Sequence, residues 1–335
     1  MHKSDIITLN YLTAVGDIDN DGNPEIIFPD QIGLNTAALT WKNGAFTSNR
    51  KWIDKKLWSH PGNLITHTSL VLEDFDKDGW KDLIVGGNWS TPNTRIAFGS
   101  SQGFVARNLL TLPDGIWGHT TWEEWQKEDT LIAMGPEAIQ VVADFDNDGL
   151  TDIFSSQSTF VSYKPGVFTD ELEPRYQQVH DYGGIIAAQN TSIQVYKNLG
   201  NREFSEICKT DGTLINNLHI HSLIPFDFNG DEFLDVIGEY VTFEYGSQRS
   251  MLHGSFVFLN DGTGVFQVVD GSKLFPTQNN NGSIEQLGVF VPTRVTSDGL
   301  ECLFVTSLTD RISGVLVVRK GVYKGNIGTD LDSIK

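Results

Sequence analysis

Hydrophobic and polar positions alternate along this chain in a recurring block. A polar, acid-rich stretch of nine residues runs directly into two or three apolar residues, and this happens four times. The apolar runs are Ile26-Ile27-Phe28, Leu83-Ile84-Val85, Ile153-Phe154 and Val236-Ile237. Short runs of β-branched and aromatic residues bounded by turn formers predict β-strands. Downstream of each comes an alternating stretch, a Gly- or Asn-containing turn and an aromatic residue: Ala38 to Phe46, Arg95 to Phe104, Gln194 to Phe204 and Phe256 to Phe266. That order is a β-hairpin signal. With a strand leading into each acidic stretch, every block holds four antiparallel strands.

The acidic stretches share one pattern: oxygen-bearing side chains at the first, third, fifth and ninth positions. They are Asp17, Asp19, Asp21 and Glu25; Asp74, Asp76, Asp78 and Asp82; Asp144, Asp146, Asp148 and Asp152; and Asp227, Asn229, Asp231 and Asp235. Calcium takes six to eight oxygens at about 2.3–2.6 Å, and alternate side chains of a tight loop can supply them. The seventh position (Asn23, Trp80, Leu150, Phe233) varies in chemistry, so its expected contribution is a backbone carbonyl. Gly22, Gly79 and Gly149 hold the sixth position, where the turn calls for positive φ. Glu232 holds it in the fourth copy and must carry the strain of a left-handed backbone. About four calcium ions are expected.

An EF-hand shares the first half of this pattern but needs a bidentate Glu at position twelve and flanking helices. Position twelve here is Phe28, Val85, Ser155 and Gly238, and strand formers follow each loop. The EF-hand is excluded. Asp-Gly turns also join strands without any metal; four copies of the full acid pattern weigh against that reading.

The first positions lie about 60 to 80 residues apart, a period suggesting blades or solenoid units. A fifth copy runs from Ser297 to Val305, with its hairpin from Gly314 to Tyr323. Its ligand positions have become Arg294, Thr296 and Cys302, so no metal is expected there. On these loops, and on the Asn260-Asp-Gly-Thr-Gly-Val-Phe266 hairpin, the chain resembles the FG-GAP/VCBS repeat family, whose calcium-loop blades also occur in integrin α-subunit heads and some lectins. The resemblance implies an all-β propeller of four-stranded blades over residues 1–323, with calcium at loops 17–25, 74–82, 144–152 and 227–235 but not at the degenerate copy 294–302; the polar, Gly-containing stretch 324–335 reads as a linker. Five repeats are countable. Six or seven blades stay open, with 105–140 and 158–190 as places for a divergent one.

Composition narrows the partners. The formal charge is −19, of which four divalent ions would offset less than half. So acidic a surface repels nucleic acid and anionic lipid. No apolar run approaches the roughly 18 residues that span a bilayer. The N-terminus has no apolar signal core, which suggests a domain of a longer exported protein. An extracellular or cell-surface setting, where calcium is plentiful, and a monomeric domain are expected. Cys208 and Cys302 are the only cysteines, and nothing in the sequence demands that they pair.

Chemistry beyond the loops is sparse. Gly99-Ser-Ser-Gln-Gly103 matches the G-x-S-x-G nucleophile elbow in letters, but falls in a predicted hairpin turn. Seven residues before the loops stand Asn10, His67, Glu137 and Ile220, on strands that would line a propeller channel. Trp117, Trp122 and Trp125 crowd one segment, and Tyr163, Tyr176 and Tyr182 lie in the insertion at 158–190. Exposed aromatics on long loops can stack on sugars; the alternative is that they pack inside those loops. The leading expectation is a non-catalytic module binding a glycan or an extracellular protein, with His67, Trp117, Trp122, Tyr163, Tyr176 and Tyr182 as candidate ligand contacts. A lyase-like polysaccharide enzyme and a structural spacer are the alternatives.

Overall fold

Each acidic loop is a corner between two antiparallel strands, and the register is the same at all four. The residue before the loop pairs with its ninth residue: Gly16 with Glu25, Glu73 with Asp82, Ala143 with Asp152, and Phe226 with Asp235. The computed structural model describes residues 13–30, 35–49, 52–54, 70–85, 94–112, 131–163, 185–209, 215–216, 218–243, 251–270, 287–294, 301–307 and 316–319. Among them there is no α-helix, and so none long and apolar enough to cross a membrane; one 3-10 turn spans Ala106–Asn108.

The strands form five antiparallel sheets in chain order. The first holds β1 (Ala14–Gly16), β2 (Glu25–Asp30), β3 (Asn35–Lys42) and β4 (Ala45–Asn49). The second holds β5 (Leu70–Glu73), β6 (Asp82–Val85), β7 (Arg95–Ala97) and β8 (Leu109–Thr111). The third comprises β9 (Leu131–Ala143), β10 (Asp152–Tyr163), β11 (Ile185–Gly200) and β12 (Glu203–Lys209), with β13 (Ile215–Asn216) pairing β11. The fourth contains β14 (Leu218–Phe226), β15 (Asp235–Phe243), β16 (Met251–Asn260) and β17 (Phe266–Asp270). In the fifth, β18 (Leu287–Arg294), β19 (Glu301–Ser307) and β20 (Leu316–Arg319) are described. Its first two strands pair through Thr293–Cys302 and on to Arg294–Glu301, one pair further than in the other four sheets.

Packing follows the same order. Ile27, Ala38, Leu83 and Ala97 bury one interface between the first and second sheets. Ile84, Ile96, Ile153 and Tyr196 bury the next. Between the third and fourth sheets, Phe154 meets Phe266 and Phe258 with ring centroids 5.0 and 5.2 Å apart, worth about 0.5–1.5 kcal/mol per pair beyond burial. The leading strands are neighbours in turn: β1 touches β5, β5 touches β9, β9 touches β14, and β14 touches β18.

Three expectations need correction. The second hairpin is not a tight turn leading into a strand at Phe104. Phe104 is held by the segment after the first sheet, its N–H donating to Trp52 O at 2.7 Å while Asp54 N–H donates to Phe104 O at 2.9 Å, so β8 starts only after the 3-10 turn. The insertion at 158–190 is in part a ribbon, because β10 and β11 stay paired out to Tyr163 and Ile185. Ile220 faces no channel; it is buried with Ile193, Val236 and Phe258 between the third and fourth sheets. No sixth sheet occurs among the described residues: the described parts of 105–140 and 158–190 belong to the second and third sheets.

Candidate metal centres

The second residue of each loop points inward and anchors it. Ile18, Phe75, Phe145 and Phe228 are all buried, Phe145 completely. The chain thus buries an apolar side chain between two oxygen-bearing ones and holds the loop against its sheet.

Hydrogen bonds within the loop then aim the acids. In the first three copies the first Asp accepts the N–H of the fifth residue on one oxygen and that of the sixth on the other: Asp21 and Gly22 on Asp17, Asp78 and Gly79 on Asp74, Asp148 and Gly149 on Asp144. The fifth Asp accepts the N–H of the seventh residue at 2.9–3.0 Å in all four loops. Asn23 also bonds Asp21 through its side chain, and the backbone bond foremost keeps that carboxyl below its usual range. The sixth residues have the expected positive φ: 86° at Gly22, 90° at Gly79, 87° at Gly149 and 75° at Glu232.

Sequence reasoning missed a second left-handed position. The fourth residue also has positive φ: Asn20 at 57°, Lys77 at 59°, Asn147 at 58° and Gly230 at 78°. Asn tolerates this conformation better than most residues, and the recurrence of Asn there was the available signal. In the fourth loop the glycine has moved from sixth to fourth place, relieving one position and loading the other. Asn20 and Asn147 also link loops, donating side-chain N–H to Gly79 O at 3.0 Å and Glu232 O at 3.3 Å. Loop 17–25 therefore lies beside loop 74–82, and loop 144–152 beside loop 227–235.

The ninth acid does more than the sequence suggests. Asp82 accepts Phe75 N–H on one oxygen and Gly99 N–H on the other; Asp152 accepts Phe145 and Asn198, and Asp235 accepts Phe228 and Asn260. One carboxylate joins the loop to the end of the third strand. Burial pushes these carboxyls up, Asp82 to about 7 and Asp152 and Asp235 to about 6, against the opposing pull of those amides. Gly99 is required beside Asp82, since a Cβ there would sit 2.2 Å from Lys81 O.

Among the described residues, three acid sets could hold a metal ion: Asp17, Asp19 and Glu25; Asp74, Asp76 and Asp78; and Asp144, Asp146 and Asp152. The ligand oxygens of each set lie within 4.8 Å of one another, within the roughly 4.6–5.2 Å breadth of a calcium coordination sphere. The first set carries the clearest mark of a cation site. Glu25 is 0% exposed, and its Oε1, together with Asp19 Oδ1, is buried without a hydrogen-bond partner. Burial also raises the Glu25 carboxyl. A buried carboxylate oxygen left bare costs about 1–3 kcal/mol or more, which a hard cation would offset. The fourth loop is arranged differently: Asp227 accepts the N–H of Gly230 and of Glu232, and Asn229 Nδ2 donates to Asp231 Oδ2 at 2.8 Å.

The seventh residues Trp80, Leu150 and Phe233 are half-buried and Asn23 is exposed. Of the other candidate contacts, His67, Trp117, Trp122, Tyr176 and Tyr182 lie outside the described residues; Tyr163 ends β10, paired with Ile185. Ser101, the Ser of the elbow-like match, is an exposed turn residue, and the segment continues into the 3-10 turn at Ala106–Asn108. An aromatic surface the sequence did not single out is the edge-to-face pair of Trp41 and Phe46 across the first hairpin, 45% and 51% exposed with centroids 4.8 Å apart. Strand alternation alone puts Trp41 on the same face as buried Leu39, so the sequence pattern carried no signal for its exposure.

No protein-family model matches the chain, and no curated protein matches it. A solved structure of an Agrocybe aegerita lectin, described as recognising non-reducing terminal N-acetylglucosamine, is similar over 94% of this chain and 81% of its own, at 14% identity and a TM-score of 0.37. A likeness of this degree decides neither architecture nor ligand.

Proposed function

We propose that the chain is a propeller of the FG-GAP/VCBS kind, braced by calcium, that acts outside the cell as a non-catalytic binding module for a glycan or a protein. The observation that carries the calcium reading is the first loop, where buried Glu25 and Asp19 oxygens converge with Asp17 and have no hydrogen-bond partner. An all-oxygen set of hard ligands on a tight loop suits calcium, and extracellular calcium modules work at dissociation constants of about 10⁻⁴–10⁻³ M. The propeller reading is supported by sheets that pack in series with their leading strands adjacent.

The ion's role is a brace. The ninth acids of the other three loops already tie loop to hairpin through two backbone amides each, so an ion held there tightens a corner of the scaffold. That leaves ligand binding to surfaces away from the loops. The exposed Trp41–Phe46 pair offers a stacking platform for a sugar ring or a partner side chain, and the segments bearing His67, Trp117, Trp122, Tyr163, Tyr176 and Tyr182 are the further candidates.

The test has two arms. Isothermal titration with calcium chloride should show uptake, and a chelator should lower the melting temperature; the absence of both effects would overturn the brace. A glycan array with the calcium-loaded protein, repeated with Trp41→Ala, should show selective binding that the substitution weakens. An array blank on every glycan would point to a protein ligand, and turnover of a uronate polymer would replace binding with catalysis.

A further inference from the structure

The four loops are near-copies in their acids but not in what stands opposite them. The ninth residue of each loop faces a fixed place on the third strand, one residue beyond the pairs Ile26–Leu39, Leu83–Ala97, Ile153–Tyr196 and Val236–Phe258. That place is filled by Thr40, Phe98, Lys197 and Leu259 in turn. The difference decides what each loop's acids meet.

In the third sheet Lys197 turns its ammonium into loop 144–152. Its Nζ donates to Asp146 Oδ2 and lies 2.9 Å from Asp148 Oδ2. In the second sheet Phe98 cannot do this, and the next sheet supplies the cation instead. Arg202, at the turn between β11 and β12, lays its guanidinium over the Phe98 ring, 4.4 Å from the centroid. From there Nε reaches Asp76 Oδ2 at 2.6 Å and Nη2 reaches Asp78 Oδ2 at 3.4 Å. In the first sheet Thr40 brings no charge, and its Oγ1 is itself buried and unpartnered. Lys42, two residues on, has an exposed side chain with its Nζ 4.0 Å from Asp19 Oδ2. There the Asp19 Oδ1 and Glu25 Oε1 atoms have no partner at all.

We propose that Lys197 and Arg202 are tethered counter-cations that compete with a divalent ion for loops 144–152 and 74–82, so that loop 17–25 loads at a lower calcium concentration than either. This rests on the calcium reading above and adds an order to it. The third and fifth carboxylates cannot serve an ammonium or guanidinium and a calcium ion together at close range, because two like charges would share one small space. Loading loops 74–82 and 144–152 therefore requires the tethered group to swing out. For Arg202 that means breaking a contact between the second and third sheets, so calcium at loop 74–82 exchanges one inter-sheet tie for local order. Lys197 leaves only its own sheet's loop.

The test is calcium titration of the full chain by calorimetry, wild type against Lys197→Met, Arg202→Met and the charge-keeping Lys197→Arg. Wild type should show a tighter class of site and a weaker one, with Asp19→Asn removing a site from the tighter class. Lys197→Met should tighten one weaker site by about tenfold or more, and Arg202→Met should tighten another. Lys197→Arg should leave the pattern as in wild type. A second readout needs no metal: in chelator Lys197→Met should melt lower than wild type, and the gap should close in calcium. Calcium binding in one class that Lys197→Met leaves unchanged would overturn the tether and spare the brace. Absence of calcium binding in any variant would remove the brace itself, and with it the loading order.

Discussion

The side-chain amide of Asn198 donates to the backbone carbonyl of Phe75 at 2.8 Å, joining residues 123 positions apart. Asn260 makes the same bond to Phe145 O at 2.7 Å. In each case the hairpin of one sheet grips the buried second residue of the preceding sheet's loop. Each Asn also donates to the carbonyl of the residue just before its own sheet's ninth acid, Thr151 O or Leu234 O, and accepts the N–H of Gly200 or Gly262. Asn198→Ala removes all of these and leaves the Phe75 carbonyl buried and bare. We expect a loss of about 2 kcal/mol in chemical denaturation, and a similar loss for Asn260→Ala. Asn198→Asp keeps the acceptor for Gly200 but no donor, and should be no better than Asn198→Ala.

Calcium should stabilise the chain by mass action. Each site held at 100-fold excess over its dissociation constant contributes about 2.7 kcal/mol. Glu25→Gln should cut the calcium-dependent rise in melting temperature while costing little in chelator, because it removes a buried charge there.

The pH dependence should change sign with metal. In chelator the raised carboxyls of Asp82, Asp152 and Asp235 bind protons in the folded chain that the unfolded chain has released. Their contribution is fully present below the unfolded value near pH 4 and is lost as pH rises through about 6 to 7. Metal-free protein should therefore melt higher at pH 5 than at pH 8. Asp21 and Asp148 are lowered and titrate beneath this window; for Asp148, burial would raise the carboxyl, but bonds from Lys197 and Leu150 outweigh it. With saturating calcium the slope should reverse, since protons and the ion compete for the same oxygens. Equal slopes in both conditions would contradict this.

Backbone strain can be probed without touching a ligand. A Cβ at Gly79 meets nothing within 4 Å, so Gly79→Ala should cost about 1 kcal/mol through its φ of 90° alone. Glu232→Gly should be neutral or stabilising by up to about 1 kcal/mol, since relief of the left-handed glutamate outweighs the entropy of a new glycine. Thermal melts of both variants in chelator would check the pair.

The sheets and corners were legible because a strand writes itself in alternation and a turn in its glycines. The Ile26-Ile27-Phe28 and Leu83-Ile84-Val85 runs gave strands at the right places, and position twelve removed the EF-hand. What stayed hidden depends on residues far apart in sequence. Nothing local marks Arg202 as a partner of Asp76 or Asn198 as a partner of Phe75. Nor could spacing reveal that Phe104 answers to Trp52 and leaves its hairpin. The double use of the ninth carboxylate was hidden because a metal ligand and a backbone acceptor are the same residue type.

The glycine that moved within the fourth loop, from the place of Glu232 to that of Gly230, bears on how such loops are recognised elsewhere. The corner needs two left-handed residues, and this chain meets that need with Asn then Gly, Lys then Gly, or Gly then Glu. A signature that insists on glycine in sixth place would discard the fourth loop, although its ninth acid closes the same corner, Phe226 pairing with Asp235. Further copies, in this chain's relatives or in others, should be sought by the spacing of the acids and the buried second residue, with glycine accepted at either left-handed position.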